Sequence, residues 1–243
     1  MSVHRFHVPG VAQGRIDLPE TARNHATRVL RLEIGDAIRV FDAGSEFDAT
    51  LREIAKNRVT IDVGSPVESL PERSIPMRLI VSPLKGDLTE LVIQQATQLG
   101  VARISLAIFE RTDTVARRDP GESRMERWRR VASSAAEQCG RAVVPVIDPG
   151  HALGDVLAEL GHRDEGELRV VAAEPSLDLD QEASAPALVR AVTVAVGPAG
   201  GFASSDLELL RNAGFRPQRF AAHTLRSETA AAAAVAILGD RYR

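Results

Sequence analysis

The stretch whose reading decides the fold is Val192-Thr193-Val194-Ala195-Val196-Gly197-Pro198-Ala199-Gly200-Gly201-Phe202. Its first half is a β-branched apolar run, the pattern of a strand buried on both faces. The run stops at a proline and adjacent glycines, which fix a turn and expose backbone groups. Downstream lies His223-Thr224-Leu225-Arg226-Ser227-Glu228-Thr229-Ala230, a polar loop that opens an alanine-rich helix. Two such loops, each at the carboxyl end of a strand in an α/β domain, are a usual place for a small ligand.

Working outward, strands alternate with helices from Met77 onward. Strands are expected at 77–81, 101–109, 143–147, 168–173, 191–196 and 219–222, and helices at 87–99, 123–140, 153–160, 204–213 and 228–239. That alternation predicts a parallel sheet covered on both faces. Ser204 or Ser205 is expected to cap the helix at 204–213. Nearer the N-terminus, 20–32 reads as a helix begun by Pro19, and 37–41, 46–54 and 58–63 read as short strands of a small barrel. Residues 65–76 carry three prolines and few apolar side chains, the composition of a linker. The expected organisation is a barrel at 1–70, a linker at 71–76 and an α/β domain at 77–243.

The 243 residues suffice for one large or two modest domains, and the one cysteine, Cys139, excludes an internal disulfide and points to a reducing compartment. No apolar run approaches the roughly 20 residues that span a bilayer, and Met1-Ser-Val-His-Arg-Phe-His lacks a signal-peptide core. The expectation is a cytoplasmic protein with no membrane partner. The net charge of −3 hides a segregation. Arginines cluster between Arg103 and Arg141, and 148–182 is acidic. A local basic face is what a phosphate backbone feels. Lysine is almost wholly replaced by arginine, with Lys56 and Lys85 remaining; a GC-rich genome explains that ratio, but not the clustering.

The glycine loop lacks the lysine of a phosphate-binding loop and the spacing of a dinucleotide fingerprint, which makes a nucleotide hydrolase a weak reading. It suits gripping a flat heterocycle or a ribose through main-chain hydrogen bonds, or else it is a bare strand-to-helix turn. The 225–229 segment has a structural reading too, with Ser227 or Thr224 capping the last helix and Glu228 favoured in its first turn.

Several segments, in order along nearly the whole chain, resemble the bacterial 16S rRNA uridine-N3 methyltransferases of the RsmE type, in the SPOUT superfamily. They are Lys85-Gly86, Gln94-Gln95-Ala96-Thr97-Gln98-Leu99-Gly100, Glu110-Arg111, Glu137-Gln138-Cys139-Gly140-Arg141, Gly197–Phe202 and Leu225–Thr229. The N-terminal part, with Arg28-Val29-Leu30-Arg31, is similar to that family's PUA-like RNA-binding barrel. The resemblance implies a C-terminal SPOUT domain with a trefoil-knotted parallel sheet, forming homodimers and binding S-adenosylmethionine (SAM). It places the cofactor among three loops, 172–175, 197–202 and 220–226. The cofactor-binding residues would be Ala173, Glu174, Gly197, Pro198, Gly200, Gly201, Phe220, Ala221 and Leu225. The chain departs from the family pattern at Ala199, where the family usually has glutamate, and at Phe220-Ala221, where it commonly has Leu-Gly.

The implied reaction moves a methyl group to N3 of a uridine in 16S rRNA of the small (30S) subunit, with no metal. Uracil N3 carries a proton, and losing it places negative charge on the flanking carbonyl oxygens. The site needs a donor for that charge and a route for the proton. Arg226 is the expected donor and Glu228 the expected base or orienter, with His223 next in rank. Arg28, Arg31, Lys85, Arg111 and Arg141 are expected RNA contacts. A 2′-O-ribose methyltransferase of the same superfamily, or a non-catalytic RNA-binding or ribosome-assembly factor, are the alternatives; Ala199 keeps the last of these open.

Overall fold

A computed structural model describes residues 3–118, 120–174 and 186–242. The chain divides into two compact units, Met1–Glu72 with Ser133–Val144, and Arg73–Ala132 with Pro145–Arg243.

In the first unit, β1 (His4–His7), β2 (Gly14–Asp17), β3 (Ala37–Asp42), β4 (Ser45–Ala55) and β5 (Arg58–Val67) form a mixed sheet in the order β1-β3-β4-β5-β2. β1 runs parallel to β3 and the other pairs are antiparallel. Alternate residues turn inward, so Phe6, Ile38, Val40, Leu51, Val59 and Ile61 make one core. β5 runs on to Val67, pairing Pro66 with Phe47, so the proline-rich stretch at 65–76 begins in ladder. The expected helix at 20–32 is shorter and wider than read. A single helical turn, α1 (Glu20–Asn24), passes into a π-helical turn at His25–Val29. There Leu30 N–H donates to His25 O at 3.0 Å, and Arg31 ends the turn in the left-handed region at φ 54°.

Residues 133–144 belong here because Arg5 gathers them. Its guanidinium donates to the carbonyls of Ala136, Glu137 and Arg141 at 3.0–3.1 Å, pairs with Glu46 at 2.9 Å and lies 4.6 Å above the Phe41 ring. A cation at the last carbonyls of a helix is favoured by the helix dipole.

The second unit is a six-stranded, wholly parallel sheet with the order β11-β9-β10-β6-β7-β8. Its elements are β6 (Met77–Val81), α2 (Leu88–Gln98), β7 (Arg103–Ile108), α3 (Gly121–Cys139, which belongs to the first unit from Ser133 on), β8 (Val146–Ala152), α4 (Leu153–Leu160), β9 (Glu167–Ala172), β10 (Ala191–Val196), α5 (Ser204–Asn212), β11 (Arg216–Gln218) and α6 (Ser227–Arg241). The apolar runs of β6, β9 and β10 are buried along nearly their whole length, as strands covered on both faces must be.

Two strands lie away from their expected places. The strand expected at 143–147 is β8, 146–152, and the one expected at 219–222 is β11, 216–218. Both are edge strands and both contain a proline, which the edge tolerates because one side of its backbone is unpaired. The shift of β11 leaves Phe220 and Ala221 in a loop. No helix among the described residues is long and apolar enough to cross a membrane.

Candidate functional site

β11, β9 and β10 are neighbours and parallel, so their carboxyl ends lie at one edge of the sheet. The loops that follow converge there on a cleft of about 480 Å³, open solvent included. The first loop contributes Ala172, Ala173 and Glu174. The second contributes Gly197, Pro198, Gly201 and Phe202 after Val196 of β10. The third contributes Phe220, Ala221, His223 and Leu225, and the first turn of α6 adds Ser227 and Ala230. The remaining member of the first loop, Pro175, lies outside the described residues.

Local chemistry explains the shape of the second loop. A β-carbon on Gly197 would stand 2.9–3.0 Å from the Phe202 ring, so only glycine lets that ring fold back on the strand end. Phe202 then meets Phe109 edge to face, with centroids 5.7 Å apart. Gly201 turns at φ 72°. α5 starts without the expected serine cap: Ala203 holds the N-cap position. The buried Asp206 carboxylate accepts from Ala203 N–H at 3.0 Å and Glu110 N–H at 3.1 Å instead. That carboxylate ties the loop after β7 to the glycine loop.

Of the expected cofactor residues, Ala173, Glu174, Gly197, Pro198, Gly201, Phe220, Ala221 and Leu225 line the cleft. Gly200 does not; its carbonyl accepts from Arg111 Nη1 at 3.4 Å. Arg226 and Glu228 flank Ser227 at the start of α6 without lining the cleft, and neither side chain has a hydrogen bond or ion pair among the described residues. Arg226 occupies the N-cap position and no side chain caps the helix, so the expected capping by Ser227 or Thr224 is absent. Ser227 and Ala230 were missed as lining residues. Their i, i+3 spacing on one helix face was the available signal.

The expected RNA contacts separate. Arg28 and Arg31 are exposed and unpaired among the described residues, beside the exposed Val29 and Ile34. Lys85 is exposed and pairs with Asp113 at 2.9 Å, which lowers the pKa of that carboxyl. Arg111 is exposed. Arg141 requires a correction: it is 8% exposed, and its guanidinium grips Glu72 through Nε at 3.0 Å and Nη2 at 2.7 Å. A buried, bidentate pair of this kind builds the first unit and leaves no face for a phosphate.

The RNA methyltransferase domain family matches residues 71–239, and the RNA methyltransferase PUA domain matches 18–64. The chain belongs to the RNA methyltransferase family. Among curated relatives, "Ribosomal RNA small subunit methyltransferase E" of Synechocystis is 27% identical over 93% of this chain and 73% of its own. The protein of the same name from Rickettsia conorii is 29% identical over 91% and 88%. Among solved structures, one from Legionella pneumophila with SAM bound has a TM-score of 0.86 at 27% identity, covering 99% of this chain and 98% of its own. The ribosomal RNA small subunit methyltransferase E of Neisseria gonorrhoeae, bound to SAM, has 0.85 at 26%, with the same coverage. The fold class is thus a PUA-like domain with a mixed sheet and a methyltransferase domain with a parallel sheet.

Proposed function

We propose that this protein transfers a methyl group from SAM to N3 of a uridine in 16S rRNA of the small ribosomal subunit. The observation that carries the proposal is the convergence of three loops from adjacent parallel strands on one cleft, in a chain matching a SAM-bound small-subunit methyltransferase over nearly its whole length. The cleft fits the cofactor. Backbone at Gly197, Pro198 and Gly201 offers hydrogen bonds to a heterocycle and ribose, and Val196, Phe202 and Leu225 give apolar walls. Glu174 supplies one carboxylate for hydroxyl or ammonium groups. When bound, the cofactor supplies an electrophilic methyl group.

The chain's own residues do the rest. The Arg226 side chain holds no partner among the described residues and is always charged, so its guanidinium donates to the carbonyl oxygen where negative charge develops. Glu228 takes the N3 proton or orients the base. His223, which lines the cleft, is the next candidate for that proton. Arg28 and Arg31, with Lys85 and Arg111, hold the RNA backbone. In the same proposal the parallel sheet is threaded as a trefoil knot, and the protein is a cytoplasmic homodimer that takes the assembled subunit as substrate.

The test is incubation with SAM and small subunits lacking the modification, followed by mass spectrometry of the nucleosides. 3-Methyluridine is the expected product. A 2′-O-methylated nucleoside, or no methylation at all, contradicts the proposal.

A further inference from the structure

A second cleft opens at the same edge of the parallel sheet, beyond the carboxyl ends of β6 and β7. Its walls are the β6–α2 loop, the segment after β7 and the first turns of α3. It holds about 1040 Å³, open solvent included, against about 480 Å³ at the cofactor cleft. Short links join the loops of the two clefts. Ser82 N–H donates to Val196 O at 3.4 Å, and the Ser82 and Thr112 hydroxyls are 3.0 Å apart. Arg111 reaches Gly200 O at 3.4 Å. A chain molecule reacting at the first cleft therefore runs past the second.

The lining is close to neutral. Arg127 is held by Asp87 at 3.2 Å and Glu90 at 2.7 Å, and Lys85 by Asp113 at 2.9 Å. Pro83, Leu84 and Trp128 line it as apolar wall, each mostly buried, with Trp128 5% exposed. Two polar groups are left without a hydrogen bond or ion pair among the described residues: the Ser123 hydroxyl and the Arg124 guanidinium, both exposed and both in the opening turn of α3. Neutral walls suit a base and ribose. A lone free guanidinium beside a free hydroxyl, at the positive end of a long helix, suits one phosphate.

We propose that this cleft receives an unstacked nucleotide of the RNA that flanks the methylated one, its base against the Trp128 wall and its phosphate on Arg124 and Ser123. The inference rests on the RNA methyltransferase reading of the neighbouring cleft.

Trp128 is the only tryptophan of the chain, so its emission reports on this cleft directly. Titration of the intact protein with hexauridylate is expected to change that emission saturably. Arg124→Glu is expected to weaken the titration about tenfold and to raise KM for small subunits about tenfold, without a matching fall in kcat and with SAM affinity kept. An emission that ignores the RNA, an unaltered KM in the variant, or a variant that loses SAM in parallel overturns the proposal. Wild-type protein that gives the emission change but methylates nothing contradicts the methyltransferase reading instead, and leaves the nucleotide cleft standing.

Discussion

The Glu174 carboxylate lies over Gly201: its Oε1 stands 2.7 Å from where a β-carbon on that glycine would project. The first and second loops of the cleft thus meet at a point where a side chain fits only if the carboxylate moves. Gly201 also turns at φ 72°, a conformation that costs other residues about 1–2 kcal/mol. Gly201→Ala is therefore expected to push the carboxylate away and to weaken SAM binding by about tenfold or more, measured by calorimetry. The α/β domain should keep its fold, because the turn is on the surface of the cleft and not in the core. Unchanged affinity would separate Glu174 and this turn from the cofactor.

Arg226 sits one residue before α6, exposed and without a partner among the described residues. If it stabilises charge on the acceptor base, Arg226→Ala should lower kcat by about 10²–10³-fold, the usual cost of losing one such donor. SAM affinity should hold, since Arg226 does not line the cleft. Single-turnover methylation alongside calorimetry separates the two. A parallel loss of both would make Arg226 a cofactor ligand.

Arg73 joins the carboxyl ends of two helices. It donates to Leu99 O at 3.1 Å, after α2, and to Gly239 O in the last turns of α6. A β-carbon on Gly239 would fall on its guanidinium. In the Arg73→Ala background, Gly239→Ala should stabilise by about 1 kcal/mol through helix propensity alone. In the wild-type background the guanidinium must move, and its charged hydrogen bonds offset that gain by about 1.5–3 kcal/mol. Urea denaturation of the four proteins checks this coupling, and strict additivity would refute it.

Glu137 gives a pH prediction. Burial raises its pKa, against the opposing backbone N–H of His7, which donates to Oε1 at 2.9 Å, and the charges of His7 and Arg5. His25 Nδ1 lies 4.0 Å from its other oxygen. A carboxyl whose folded pKa exceeds its unfolded value stabilises fully below the unfolded value, and that contribution is lost as pH rises through the folded one. Glu137→Gln keeps the His7 acceptor and removes the titration. The variant should therefore gain stability relative to wild type as pH rises from 4 to 7. Thermal melts across that range check the sign; a constant difference would contradict it.

The parallel sheet was legible because β6, β7, β9 and β10 are long apolar runs separated by helical periodicity. The two misplaced strands, β8 and β11, are edge strands broken by proline, where pattern is weakest and pairing decides. The π-helical turn at His25–Val29 was not legible, since its apolar spacing fits an ordinary helix equally well. Most of the lining of the cleft beyond β9, β10 and β11 was readable from glycines at strand ends together with the family resemblance. Arg141 shows where that approach fails. Sequence reports a basic residue beside a motif, but only packing reveals that Glu72 already holds it. The asymmetry is general for arginine, whose long side chain serves a fold and a ligand with the same donors.

The most direct test of the account is a crystal structure of the protein with SAM. Density for the cofactor is expected among Ala173–Glu174, Gly197–Phe202 and Phe220–Leu225, with Arg226 facing the open side. Density at any other place, or none at millimolar cofactor, would contradict it.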